Sequence, residues 1–340
     1  MRLPILLGAL GALIVPGLTF GSPTTHDDYR SLTVDAFSSF YPRRAPGGGW
    51  TDADGSRDAL TGAVAIGQMF SAFRRASRAS EPDPMRDGEL RIAEHGNHLP
   101  DLLDEARFEL EWLASLTITD GVDAGLLRAG SGDGAEASIP ATLAFAAVAS
   151  AASRYYARFD RAFIDRMRKL AIDAYAAARA RPGADDGANS GAFYWAAAEL
   201  LTSSGKAAYL ADLKASPHWT GDVFAAPPGP TNLAPFGRLL LARESRQLSA
   251  PDAAAIRQSV VAGADMLLAQ PGEAEAPFVR AQDGILLASA FDISGHAIYR
   301  AAAFTAMDGL PAPDAPQAGA PPLIWNAALG QLASWAYEQR

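Results

Sequence analysis

From about residue 58 to the end of the chain, apolar residues return at spacings of three and four, with little sustained alternation. That is the period of one helix face, so the pattern predicts an all-helical protein. The stretch Asp101–Leu116 shows it well. Leu102, Leu103, Ala106, Phe108, Leu110, Trp112 and Leu113 sit among acids, and Pro100 precedes them. A first-turn proline is tolerated, and Asp101, Asp104 and Glu105 suit the positive end of a helix. Further helices are predicted at 58–77, 139–156, 161–179, 191–204, 233–244, 251–270, 284–292, 297–307 and 322–338. Several end in Gly/Pro/Asp punctuation, such as Arg181-Pro182-Gly183 and Pro227-Pro228-Gly229-Pro230. Thr142–Ala152 and Ala196–Leu201 are almost entirely apolar. Helices apolar all round need burial on two sides, which calls for an inner layer wrapped by an outer one. Helical hairpins stacked and closed into an α/α toroid meet that need. No TPR-like or HEAT-like period is present, and no linker is long or polar enough to divide the chain.

Composition narrows the partners. The chain has 340 residues, 29 Lys+Arg against 38 Asp+Glu and a formal net charge of -9. A surface of that sign repels phosphate backbones and anionic lipid, so neither nucleic acid nor a membrane surface is expected as a partner. Neutral polymers remain open. There is no cysteine, hence no disulfide, thiolate ligand or sulfur nucleophile. Arg2 and the apolar run Leu3–Phe20 read as a signal peptide over residues 1–21, cleaved after Gly21. Ile5–Val15 before Pro16 is too short to span a bilayer comfortably. The expectation is therefore a periplasmic or extracellular domain over residues 22–340.

The densest polar segment is Gly47-Gly48-Gly49-Trp50-Thr51-Asp52-Ala53-Asp54-Gly55-Ser56-Arg57-Asp58. A calcium loop of the EF-hand kind needs an acid at its twelfth position; counted from Asp52 that position is Ala63. The segment also reads as a solvated turn capping the next helix. A third reading is glycoside hydrolysis, in which one carboxylate deprotonates a water while a partner acid protonates the leaving oxygen. No His-x-x-x-His or other acid-rich cluster suggests a metal, and no cofactor is expected.

Blocks further along select among these. Ser39-Phe40-Tyr41-Pro42-Arg43-Arg44 precedes Gly48-Gly49-Trp50-Thr51-Asp52-Ala53-Asp54. Then come Pro100-Asp101-Leu102-Leu103-Asp104-Glu105-Ala106-Arg107 with Trp112-Leu113, Trp195-Ala196-Ala197-Ala198-Glu199-Leu200, and Trp325-Asn326-Ala327-Ala328-Leu329. In this order they resemble glycoside hydrolase family 9, the family of inverting endoglucanases. The resemblance implies an (α/α)6 barrel that cleaves β-1,4-glucan with inversion. It makes Asp54 the base and Asp52 its water-positioning partner. It also makes Glu199 a structural anchor. Trp50 is expected to meet substrate because its loop carries the carboxylates, while Asn97 and His98, with His95 beside them, either line the cleft and meet substrate or only decorate a turn.

The departures concern the chemistry. The family's Asp-Ala-Gly-Asp is shortened to Asp52-Ala53-Asp54, and an Asp-Glu pair before the Trp-Ala-Ala-Ala-Glu-Leu helix is replaced by Ser190 and Gly191. The family's general acid, six residues before Asn326, falls on Ala320. Its His-Arg substrate-binding segment has no counterpart. Asp314, Glu273 and Glu275 are the carboxyls available to replace the acid, though each also reads as a solvated loop charge, the reading its loop position favours. Two functions are consistent with this: a cellulase-like hydrolase, or a catalytically degenerate relative that binds polysaccharide in exopolysaccharide or cellulose metabolism.

Overall fold

The computed structural model describes residues 25–77, 83–132, 134–182, 186–269, 276–315 and 320–339. The leader over 1–21 and the side chains of Glu273 and Glu275 lie outside them. Twelve α-helices appear among the described residues: α1 His26–Ser38, α2 Ala59–Ala76, α3 Asp101–Ser115, α4 Ile139–Tyr155, α5 Arg161–Arg179, α6 Ser190–Ser204, α7 Ala207–Ala215, α8 Ala234–Arg243, α9 Ala250–Ala269, α10 Pro277–Ser294, α11 Ala297–Met307 and α12 Pro322–Glu338.

The even-numbered helices form a closed ring in which α2 packs on α4, α4 on α6, α6 on α8, α8 on α10, α10 on α12 and α12 on α2. The odd-numbered helices pack outside this ring, α1 on α12, α3 on α2, α5 on α4, α7 on α6, α9 on α10 and α11 on α10. The result is an (α/α)6 toroid, and the sequence pattern explains which helix goes where. Every residue of α4 from Ala141 to Ser153 is buried, as is every residue of α12 from Leu323 to Tyr337. Such helices have no polar face to give to water. By contrast α5 buries only Phe163, Ile164, Met167, Ala171, Ala174, Tyr175 and Ala178, a single stripe, and keeps its charges outside.

Two helices, α1 and α7, escape the periodicity. Of the nine residues of α7 only Tyr209 and Leu213 are buried, one i,i+4 pair and too little to establish a period. Helix α10 begins at Pro277, seven residues before the predicted start, because proline suits the first turn. A two-stranded antiparallel hairpin, β1 Leu127–Arg128 with β2 Ala137–Ser138, leads into α4.

Contacts between loops orient the toroid. The amide of Ala59, opening α2, donates to Ala129 O before α4. Arg43 before α2 pairs with Asp314 before α12, and Arg181 before α6 pairs with Asp123 before α4. The N-terminal ends of inner helices therefore share one mouth. At the other mouth, Arg74 and Arg75 closing α2 pair with Glu244 after α8 and with Asp292 near the end of α10.

Candidate active site

The loop entering α2 is built on a glycine hairpin. Arg44 and Trp50 form an antiparallel bridge, and the chain turns between them through Gly47, Gly48 and Gly49, all with φ between 82° and 95°. A Cβ on Gly49 would lie 2.5 Å from Trp112 Cδ2, so the backbone rests flat on the indole of α3. Only glycine combines that left-handed backbone with so close an approach.

Two acids of α3 hold the loop from below. Glu105 accepts from Arg44 in bidentate fashion, at 3.1 and 3.0 Å, and from the indole nitrogen of Trp50 at 2.7 Å. Glu109 accepts from the Trp50 amide at 2.7 Å. Burial pushes Glu109 well above the ordinary glutamate range, and it raises Glu105 as well, even against the opposing pull of Arg44. Arg57 fastens the far side of the loop, donating to Gly48 O at 2.7 Å and to Ser131 Oγ at 2.9 Å. Asp58 caps α2 through the Thr61 amide at 2.7 Å.

Held in this way, the chain turns sharply at the two candidate carboxylates. Gly55 N donates to Asp52 O at 3.0 Å and Asp52 N to Ser56 O at 2.9 Å. Asp52 is part-buried, and burial raises its pKa, helped by the nearby charges of Asp54 and Asp58 and opposed by the Ala53 amide and Arg43. Asp54 is exposed. Its Oδ1 accepts from the Ser56 amide at 2.9 Å, and Ser56 holds it below the usual carboxylate range. The structure thus brings the two acids together on one turn and gives them opposite electrostatics, the condition for dividing roles between paired carboxylates.

Asp314 reaches the same mouth. Its Oδ1 accepts from Arg43 Nη2 at 2.7 Å, Arg43 Nε at 3.2 Å and Asn326 Nδ2 at 2.8 Å. Its own amide donates to Asn326 Oδ1 at 2.9 Å. Arg43 in turn reaches Thr51 O at 3.4 Å, so Asp314 is an acceptor tying the last loop to the first.

The remaining expected residues fall out as follows. Trp50 does not offer a face to substrate: it is 1% exposed and packs against Phe40 at 4.7 Å between centroids. Its apolar bulk and its one donor are both better satisfied beneath the loop than on it, which corrects the expectation of a stacking platform. Asn97 and His98 are exposed in a turn whose amides are gathered by Asp87. Asn97 also donates to Asp104 Oδ2 at 2.9 Å. His95 is exposed, with Nδ1 4.0 Å from Asp101. Glu199 binds Arg154 at 2.5 Å, linking α6 to α4. Where the family has an Asp-Glu pair, the Ser190 hydroxyl instead donates to Gly187 O and meets His218 Nε2 at 2.9 Å. Ala320 is buried at the start of α12. Sequence reasoning passed over Arg43, Arg57 and Glu109 as site supports. The available signal was Glu105 and Glu109 four residues apart on an otherwise apolar helix face, where charge needs a partner.

Fold and site together define a helical toroid with a carboxylate-bearing loop at the mouth formed by the N-termini of its inner helices. The chain belongs to glycosyl hydrolase family 9, whose family model matches residues 42–235. It is 32% identical over 312 residues to endoglucanase C of Cellulomonas fimi, an alignment covering 77% of this chain and 28% of that protein. It is 29% identical over 245 residues to a xyloglucan-specific endo-beta-1,4-glucanase of Bacteroides ovatus, covering 60% of this chain and 40% of that one. The chain thus spans well under half the length of these relatives. Among solved structures, a Bacteroides ovatus family 9 protein superposes with a TM-score of 0.77 at 20% identity, covering 92% of this chain and 83% of its own. A metagenome-derived family 9 endoglucanase gives 0.75 at 19%, covering 92% and 81%.

Proposed function

We propose that this domain hydrolyses β-1,4-linked glucan with inversion, using the Asp52–Asp54 turn as its water-activating half. The observation that carries the reading is two carboxylates on one turn at the mouth of the toroid, Asp52 part-buried and Asp54 exposed with its Oδ1 held by the Ser56 amide. Catalytic bases work best when their pKa is drawn towards the working pH, so we assign the base to part-buried Asp52. Asp54, held ionised by Ser56, orients the water. This exchanges the roles that the family resemblance suggests. Asp52 takes the proton of the water as its oxygen bonds to the anomeric carbon; the glycosidic bond breaks on the opposite face, and its electron pair leaves with the aglycone oxygen. That oxygen must then acquire a proton. Inverting sites place the donor about 6.5–9.5 Å from the base; among the described residues Ala320 has no proton to give, and Asp314 Oδ1 is engaged as an acceptor by Arg43 and Asn326. We infer a hydrolase strongly dependent on a good leaving group, exported and acting on neutral glucan chains that the protein's negative charge does not repel.

The test follows the anomeric proton of the product by NMR with dinitrophenyl β-cellobioside as substrate. The α-anomer is expected first, and Asp52→Asn is expected to lower kcat by about 10²–10⁴-fold, more than Asp54→Asn does. Initial formation of the β-anomer, or full activity in Asp52→Asn, would refute the assignment. Glucan binding without any turnover would favour the non-catalytic reading.

A further inference from the structure

The axis of the toroid is not filled. A cavity of about 40 Å³ lies among Gly67, Phe70, Ser71 and Arg74 of α2, Trp195 and Glu199 of α6, Arg243 of α8, Gln282 of α10 and Gln331 of α12. That is room for roughly two or three waters or one small ion. Its lining holds donors in excess of acceptors. Arg243 spends its terminal nitrogens on Ser289 Oγ at 2.8 Å, Asp292 Oδ2 at 3.2 Å and, at 3.5 Å, Ser71 Oγ. Its buried Nε has no partner, and neither has the buried Nε2 of Gln282, a residue only 1% exposed. The Ser71 hydroxyl accepts from Gln331 Nε2 at 3.0 Å as well as from Arg243, so its own proton is a further donor in the same space.

Two guanidinium groups and one carboxylate line the cavity; Glu199 is paired with Arg154, Arg74 with Glu244 and Arg243 with Asp292, so it is the orphaned N–H groups, not net charge, that define the site. Arginines at this end would be accounted for if they only neutralised the carbonyl ends of the inner helices. That explanation leaves Arg243 Nε and Gln282 Nε2 without acceptors, and buried donors in native proteins are almost always satisfied. A wider opening of about 460 Å³ on the mouth away from Asp52 shares Arg74 and Arg243 with the cavity, and it supplies a route in from solvent.

We propose that the axial cavity binds one small monovalent anion of halide size, held by Arg243 Nε, Gln282 Nε2 and the Ser71 hydroxyl. Such an anion joins α2, α8 and α10 at the centre of the ring and stabilises its closure. It acts independently of the catalytic turn at the other mouth.

Melting temperature measured in sodium chloride, sodium bromide and sodium gluconate at equal ionic strength tests this. A saturable rise of about 3–5 °C is expected with chloride and bromide, the size that occupancy of a millimolar site produces. Gluconate, too large for the cavity, should give none. Gln282→Met removes a donor at similar volume and should abolish the chloride increment. Gln282→Glu places a carboxylate where the anion sits, and should be as stable in gluconate as the unsubstituted protein is in chloride. If the cavity holds only water, Gln282→Glu adds an uncompensated buried charge and lowers the melting temperature in every salt. Bromide-soaked crystals should show an anomalous peak between Arg243 and Gln282. No peak, or a peak with no salt dependence of stability (an adventitious ion only), overturns the proposal.

Discussion

Replacing Gly49 by alanine tests how the catalytic loop is held. Two costs meet at that residue. At φ +82° an L-residue pays about 1–2 kcal/mol for the left-handed backbone. The new methyl would also sit 2.5 Å from Trp112 Cδ2 and 2.8 Å from Cε2, and Trp112 is only 4% exposed, with little room to retreat. Overpacking of this kind costs about 1–3 kcal/mol, so Gly49→Ala is expected to destabilise by roughly 2–5 kcal/mol. Gly47 provides the control. Its φ is +86°, but a Cβ there meets nothing within 4 Å, so Gly47→Ala carries only the backbone cost of about 1–2 kcal/mol. Urea unfolding of the two variants isolates the contact with Trp112. If the loop relieves the clash by lifting, it carries Trp50 away from Glu105 and Glu109 and displaces Asp52. A shift of about 1 Å in a catalytic group costs on the order of a hundredfold in rate, so Gly49→Ala should lose activity well beyond its loss of stability. Equal destabilisation by the two substitutions, with activity retained in both, would show that the loop does not rest on Trp112 as described.

Other outcomes follow from the same contacts. Arg43→Gln removes a positive charge that lowers the pKa of Asp52; the base must be ionised, so the acid limb of the kcat/KM–pH profile should move to higher pH. Trp50→Phe loses the bond to Glu105 and should cost about 1–3 kcal/mol of stability while leaving KM for the activated glycoside unchanged. Asp104 is raised to about 6, chiefly by burial, with Glu94, Asp101 and Asp87 adding to it. Its protonated form is favoured by folding, so that contribution is complete below about pH 4 and lost as pH rises through 6. Asp104→Asn should therefore be more stable than the parent at pH 7, by about 1 kcal/mol after allowance for solvent screening, with the advantage gone by pH 4; a pH series of melting temperatures checks it.

Much of the architecture is readable from the chain because the inner and outer helices bury such different fractions of their surface. An all-apolar stretch such as Thr142–Ala152 admits only a two-sided burial, and that requirement leads to the toroid. Helices recorded by too few apolar positions, α7 above all, leave no such trace. The candidate site is less legible. The carboxylates and the glycine run are visible as composition, but the side on which Trp50 packs depends on Glu105 and Glu109, about 55–59 residues away. The same applies to Asp314: its partner, Arg43, lies 271 residues away, and no local pattern reveals that pairing. Resemblance to a family transfers residue types to positions; the burial of Asp52 and the hydrogen bond of Asp54 to the Ser56 amide, on which the proposed division of roles rests, are supplied only by the folded chain.

The central claim is a site with a base and, among the described residues, no placed proton donor, and leaving-group dependence measures it most directly. Turnover of a series of aryl β-cellobiosides with aglycones of increasing pKa, together with cellohexaose, is compared in one buffer. Without acid catalysis, which contributes about 10²–10⁴-fold, the rate should fall steeply as the aglycone pKa rises, and cellohexaose should be cleaved slowest of all. Ala320→Glu should flatten that dependence and raise the cellohexaose rate. A flat dependence in the unsubstituted protein, with cellohexaose cleaved as fast as the dinitrophenyl glycoside, would contradict the account and show that another residue delivers the proton.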